Sequence, residues 1–217
     1  MPTLAAPSAR SRTAAPSRVV HPTESAPRVA PLPVESMRPE WLATLDRIPG
    51  DGLKGPGFPR HVLGVLMRSP ETFGPFLEYW VSCKERMSLP VREQEIVILR
   101  MACLYGSDYV WRHHVPVGRE FGLDDAAFAA IRAGDAGALE SARDRALVIL
   151  VDELVETRTV GRAAWDAHAA VLGDRGMVDL VALVAQYTLF ALVNNAFQNA
   201  VEPTLAEIES LAPPASR

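Results

Sequence analysis

The stretch from Glu95 to Gly122, EIVILRMACLYGSDYVWRHHVPVGREFG, constrains the fold more than any other part of the chain. A carboxylate opens an almost wholly apolar segment of helical period. Gly106 interrupts that segment, and a second one carries two adjacent histidines. Glu95 shares its helical face with Leu99, Ala102 and Cys103. On the second segment Ser107, Val110, Trp111, His114 and Gly118 form one stripe at the same spacing. If the two stripes meet across the short turn at Gly106–Ser107, a partly dehydrated Glu95 faces His114. That is an acid–base pair in outline.

The rest of the chain is consistent with helices alone. Residues 38–47, 60–68, 69–87, 141–157, 162–172 and 177–200 show helical period, and no alternating stretch of useful length marks a strand. Ser69-Pro70-Glu71 and Pro90 are helix-start signals, Asp124 is an N-cap before 125–133, and Gly50–Gly57 is a loop. Pro116 falls inside the His114 helix and predicts a kink there. Residues 1–35 differ: seven prolines and four arginines (Arg10, Arg12, Arg18, Arg28) stand against Glu24 and Glu35. Such a segment buries too little apolar surface to offset its chain entropy and predicts a disordered tail. The expected organisation is a tail over 1–35 and one all-α helical domain over 36–210.

Composition narrows the function. A net charge of −4 argues against a nucleic-acid partner. The longest apolar run, Leu180–Val193, contains Gln186 and is shorter than the roughly 20 residues a membrane span needs, so it predicts a buried helix. The two cysteines, Cys83 and Cys103, fit no metal or redox spacing and read as reduced thiols of a cytoplasmic protein. His113 and His114 point about 100° apart on a helix and cannot share one metal ion, so no metal site is expected and His113 reads as a surface or interface residue. In the last helix, Tyr187, Asn194 and Gln198 fall on one stripe, and buried amides there predict joints between helices.

The run Leu89-Pro90-Val91-Arg92-Glu93-Gln94-Glu95, with Tyr109-Val110-Trp111-Arg112-His113-His114 and then Gly118 and Gly122-Leu123, resembles the carboxymuconolactone decarboxylase family. The alkylhydroperoxidase-D proteins belong to the same superfamily. In the peroxidase branch a Glu is followed by a Cys-x-x-Cys pair and then a His. At those spacings this chain has Glu95, then Ser107 and Val110 in place of the cysteines, then His114. It is therefore similar to the non-redox branch, whose usual Tyr-Glu-Trp reads Tyr109-Val110-Trp111 here.

The resemblance implies an all-α alkylhydroperoxidase-D-like bundle that self-associates, as a trimer or hexamer, with a dimer as the smaller alternative. It also implies a cofactor-free lyase acting on a small carboxylated or lactone-type molecule by decarboxylation, isomerisation, dehydration or cyclisation. Glu95 and His114 would be catalytic, and Trp111, Ser107, Val110 and Tyr109 would contact substrate. A non-catalytic oligomeric small-molecule binder on the same scaffold is the alternative, because Ser107 and Val110 depart from the family pattern. A thiol peroxidase stands third, since a serine hydroxyl cannot cycle through a disulfide.

Overall fold

The structure, a computed structural model, describes residues 27–48 and 58–211. The loop expected over Gly50–Gly57 and residues 1–26 of the expected tail lie outside these. Among the described residues eight α-helices follow one another: α1 (Pro39–Leu45), α2 (Arg60–Leu66), α3 (Pro70–Arg86), α4 (Val91–Tyr105), α5 (Asp108–Glu120), α6 (Asp125–Ala133), α7 (Ala142–Thr157) and α8 (Arg162–Phe197). No strand occurs among the described residues, so the fold is all-α.

Local chemistry sets the boundaries. The Asp124 carboxylate accepts from the Ala127 amide, and the Ser141 hydroxyl accepts from the amides of Arg143 and Asp144. Gly106 closes α4 in the left-handed conformation, φ 60° and ψ 33°, which costs glycine least. Gly173, at φ 72° and ψ 169°, breaks α8 between the two predicted helical segments. Helix α5 runs through Pro116, where a kink is expected, without a break.

Helix α4 is the axis of the domain. Every residue from Glu93 to Ala102 is buried, and α5, α7 and α8 pack around it. Three ion pairs fasten it to α7: Glu93 to Arg143 at 2.7 Å, Arg92 to Asp144 at 2.9 Å and Arg100 to Asp152 at 2.5 Å. Arg100 also donates to the carbonyls of Ile131 and Arg132 at the end of α6. There Gly134 has no side chain because the Arg100 guanidinium occupies the place of a Cβ.

Among the described residues α8 is the one helix long and apolar enough to cross a membrane, with a mean hydropathy of 1.8 in its most apolar window. Half of that window is buried in the protein, including Leu180, Leu183, Gln186, Tyr187 and Phe190. It serves here as a core helix.

The tail expectation needs one correction. Residues 27–35 are packed rather than loose. The Leu32 amide donates to the Gly64 carbonyl at 2.9 Å, the Arg28 amide to the Phe197 carbonyl at 3.0 Å, and Arg68 donates to the Ala30 carbonyl. Gly64 makes this fit, since a Cβ there would collide with the Leu32 carbonyl and Pro31. Proline content gave no sign of it because the contact depends on a missing side chain on another helix.

Candidate active site

The turn at Gly106–Ser107 folds α5 back against α4. The Ser107 amide donates to the Ala102 carbonyl at 2.8 Å, which fixes the reversal. His114 then comes opposite Glu95, and its Nδ1 lies 2.7 Å from Glu95 Oε2. Glu95 is wholly buried, whereas the His114 side chain keeps 15% of its exposure. From α8, the Tyr187 hydroxyl reaches His114 Nε2 at 3.2 Å, with the two rings edge to face.

The roles in this chain follow from donor arithmetic. A carboxylate only accepts, so His114 Nδ1 carries the proton and donates to Glu95. Nε2 is then a lone pair, and the Tyr187 hydroxyl donates to it. Burial lowers the His114 pKa, and the neighbouring Glu95 carboxylate opposes that without reversing it. Burial, helped by the Glu95 charge, raises the Tyr187 hydroxyl well above its ordinary value. At neutral pH the site therefore holds a neutral imidazole with its basic nitrogen aimed at a protonated phenol.

Several buried polar atoms on α3, α4, α8 and the turn before α5 lack a protein partner. Glu95 Oε1, Ser107 Oγ, Gln186 Nε2 and Trp80 Nε1 are all buried without a hydrogen bond. Ser107 lies two helical turns before His114 on the same face of α5, and Gln186 precedes Tyr187 on α8. The Trp80 indole N–H lies near enough to the Tyr187 hydroxyl to stabilise its ionised form. Buried polar groups are rarely left unsatisfied, and Glu95 Oε1 belongs to the carboxylate that accepts from His114.

The other expected site residues divide. Val110 is buried one turn before His114 on its face. Trp111 is turned elsewhere. Its indole donates to the Glu209 carbonyl at 3.2 Å, packs on Phe128 and lies under the Arg132 guanidinium. The apolar surface of α6 and the need of the indole N–H for an acceptor hold it there, not on a wall beside Glu95. Tyr109 belongs to a second cluster, where its hydroxyl donates to Glu202 at 2.8 Å and its ring stacks on His113. His113 is buried, not exposed, with Nε2 2.6 Å from Glu202. Burial would raise the Glu202 carboxyl, but hydrogen bonds from His113, the His61 amide and Tyr109 hold it below its ordinary value. The adjacent histidines thus serve two Glu–His–Tyr clusters on different sides of α5.

Sequence reasoning did not assign Tyr187 and Trp80 to the site. Tyr187 stood on the noted stripe with Asn194 and Gln198, and that stripe was its only signal. The amides of that helix do join structure: Asn195 donates to the Tyr105 carbonyl, and Asn199 donates to Asn194, which itself donates to the Phe190 carbonyl. Both cysteines are free thiols, and burial pushes the Cys103 thiol up to about 12. Among the described residues no three His, Cys, Asp or Glu side chains converge as metal ligands. An open cleft of about 460 Å³ lies apart from the pair, lined by residues 31–35 with Arg60 and His61.

Residues 70–153, from the start of α3 into α7, match the model of the Carboxymuconolactone decarboxylase family. No curated protein matches the chain in sequence. The fold is similar to that of an alkylhydroperoxidase AhpD core protein from Ralstonia eutropha JMP134, described as peroxidase-related, with a TM-score of 0.69 and 14% identity over 84% of this chain and 96% of that one. It is similar to the debrominase Bmp8 with a TM-score of 0.68 and 14% identity over 83% and 97%. A putative antioxidant defence protein AhpD from Agrobacterium tumefaciens aligns with a TM-score of 0.57 and 19% identity over 62% and 93%.

Proposed function

Because the chain belongs to the carboxymuconolactone decarboxylase and AhpD-like superfamily, we propose that it is an acid–base lyase or isomerase that acts on a small carboxylated or lactone-type molecule with its own side chains. The Glu95–His114–Tyr187 chain carries this reading. His114 Nε2 is the group that exchanges a proton with substrate. Glu95 is its positioning residue, holding the tautomer and balancing the imidazolium as it forms. Tyr187, kept protonated by burial, donates to the oxygen on which charge develops.

Two steps fit the same groups. In isomerisation, Nε2 takes a proton from the carbon beside a carbonyl, the C–H electron pair moves to the carbonyl oxygen, and the proton returns to a different carbon. In decarboxylation, the C–C pair passes to that oxygen as carbon dioxide leaves, the carbon takes a proton through the Tyr187–His114 pair, and solvent restores it. With serine at 107 and valine at 110, the chain has no cysteine where the peroxidase pattern places its redox pair.

The test is carbon-bound hydrogen exchange. Small lactones and 3-oxo acids incubated with the protein in deuterium oxide are expected to gain deuterium beside the carbonyl, as read by proton NMR. His114→Ala is expected to abolish the gain. A protein that exchanges none of these compounds would favour the second reading, a non-catalytic small-molecule binder. The observation behind that reading is the open cleft beside Arg60 and His61, away from the proton chain.

Self-association is part of the proposal. Val178, Val181, Leu189 and Leu192 are exposed along one side of α8, with Ala185 between them, and no charged residue interrupts the helix from Leu180 to Phe197. An apolar line of that length on a surface helix is the signature of a subunit contact. Light scattering is expected to give a trimer or hexamer, or failing that a dimer. A monomer at micromolar concentration would remove this part of the proposal.

A further inference from the structure

Residues 31–35 and the start of α2 enclose the open cleft of about 460 Å³. That is room for a molecule of amino-acid size. Pro31, Leu32, Pro33 and Val34 make one apolar wall, and Glu35, Arg60 and His61 bring polar chemistry to it. The wall is held in place by the Leu32 amide on the Gly64 carbonyl at 2.9 Å and by Arg68 on the Ala30 carbonyl at 2.8 Å. His61 is fixed as well. Its amide donates to Glu202 at 3.0 Å, and its ring Nδ1 lies 2.6 Å from the Ala200 carbonyl. A carbonyl only accepts, so Nδ1 carries the proton and Nε2 presents a lone pair. The side chain keeps 31% of its exposure, and no residue among those described bonds to Nε2. The Arg60 guanidinium lies over the Phe58 ring, 5.4 Å from its centre, which restrains a long side chain. The first amides of α2 are all engaged within the protein: Arg60 donates to the Phe58 carbonyl, His61 to Glu202 and Val62 to the Tyr109 hydroxyl. Recognition in this cleft therefore falls to side chains.

These side chains ask for one kind of ligand. Arg60 calls for an anion, while Glu35 repels a plain anion and calls for a cation. His61 Nε2 calls for an N–H or O–H donor. We propose that the cleft binds a small zwitterion, an α-amino acid with an apolar side chain. Its carboxylate meets Arg60, its ammonium meets Glu35 and His61 Nε2, and its side chain lies on the wall from Pro31 to Val34. The cleft shares no residue with the Glu95–His114–Tyr187 chain, so this site goes beyond the proton-transfer reading and does not depend on it.

Leucine, N-acetylleucine and leucinamide are the probes, titrated calorimetrically into the full chain at neutral pH and constant ionic strength. Leucine is expected to bind about 10-fold more tightly than either analogue, because each analogue lacks one of its two charges. Arg60→Met is expected to weaken leucine about 10-fold and leave leucinamide unchanged. Glu35→Gln is expected to weaken leucine and leucinamide and spare N-acetylleucine. Glu35 is exposed and Arg60 half-buried, so both variants should keep the thermal midpoint of the wild type, and both should keep deuterium exchange. In nitrogen-15 NMR the His61 Nε2 resonance is expected to move as leucine is added, while that of His114 stays in place. Equal affinity for the three probes, no binding of leucine at millimolar concentration, either variant without effect, or a leucine-dependent shift at His114 instead of His61 would overturn the site. Deuterium exchange without leucine binding would sink the cleft alone. Leucine binding without exchange would support the cleft and sink the proton-transfer reading alone.

Discussion

Glu95→Gln is expected to cut turnover by roughly 100-fold or more, the scale of a lost acid–base contribution, and to shift the acid limb of the pH profile downward. The amide oxygen of glutamine can still accept from His114 Nδ1, so the tautomer survives. What is lost is the charge that balances the imidazolium in the transition state. The sign of the shift follows from the site. Burial lowers the His114 pKa from its ordinary 6.5, and Glu95 partly opposes that. In the native protein Nε2 is therefore free to act as a base below about pH 6.5, and removing Glu95 extends that range to still lower pH. The same arithmetic applies to stability. Below about pH 6.5 the unfolded chain binds a proton at this histidine that the native state does not, so this group's contribution falls as pH drops towards the native value.

The pH profile of deuterium exchange in the wild type and in Glu95→Gln measures both effects. His114→Ala should lose about as much activity as Glu95→Gln, and the double variant little more, because the two residues act as one unit. An acid limb that stays in place, or moves upward, in Glu95→Gln would contradict the assignment of Glu95 as the partner of a buried neutral imidazole. A general loss of folding could lower the rate, but it would not displace the limb in this direction.

What could be read in advance was what depends on local spacing. Gly106 ends α4 and lets α5 return, so Glu95 and His114 meet as their stripes imply. The helix starts at Asp124 and Ser141 and the break at Gly173 are likewise local. Residues whose partners come from distant elements were illegible. The Trp111 stripe points the indole between two neighbours, and only the C-terminal segment's Glu209 carbonyl and Phe128 of α6 decide which it meets. His113 looks like a surface residue until Glu202, 89 positions later, folds over it. Tyr187 enters the site from α8 with Trp80 of α3 beside it, and no spacing within either helix announces that the two meet.

Arg100→Met is expected to destabilise the domain by about 3 kcal/mol, the low end for breaking a buried ion pair. The Arg100 side chain is 9% exposed and gives two hydrogen bonds to Asp152 and two to the carbonyls that end α6. Methionine fills much of the space but leaves those acceptors without a donor. Asp152 is a third exposed, so water relieves part of the loss. Burial already raises the Asp152 pKa, and Arg100 opposes it, so the variant should raise it further and lose less stability at acid pH than at neutral pH. Urea unfolding with an unchanged slope would report the loss. Arg100→Met combined with Asp152→Leu should recover much of it, because a well-packed apolar pair can replace a buried ion pair at small cost. Arg100 lies five residues after Glu95 on α4 and away from the proton chain, so the double variant should keep its deuterium exchange. Exchange lost in a stably folded double variant would show that this ion pair, and not packing alone, sets the position of Glu95.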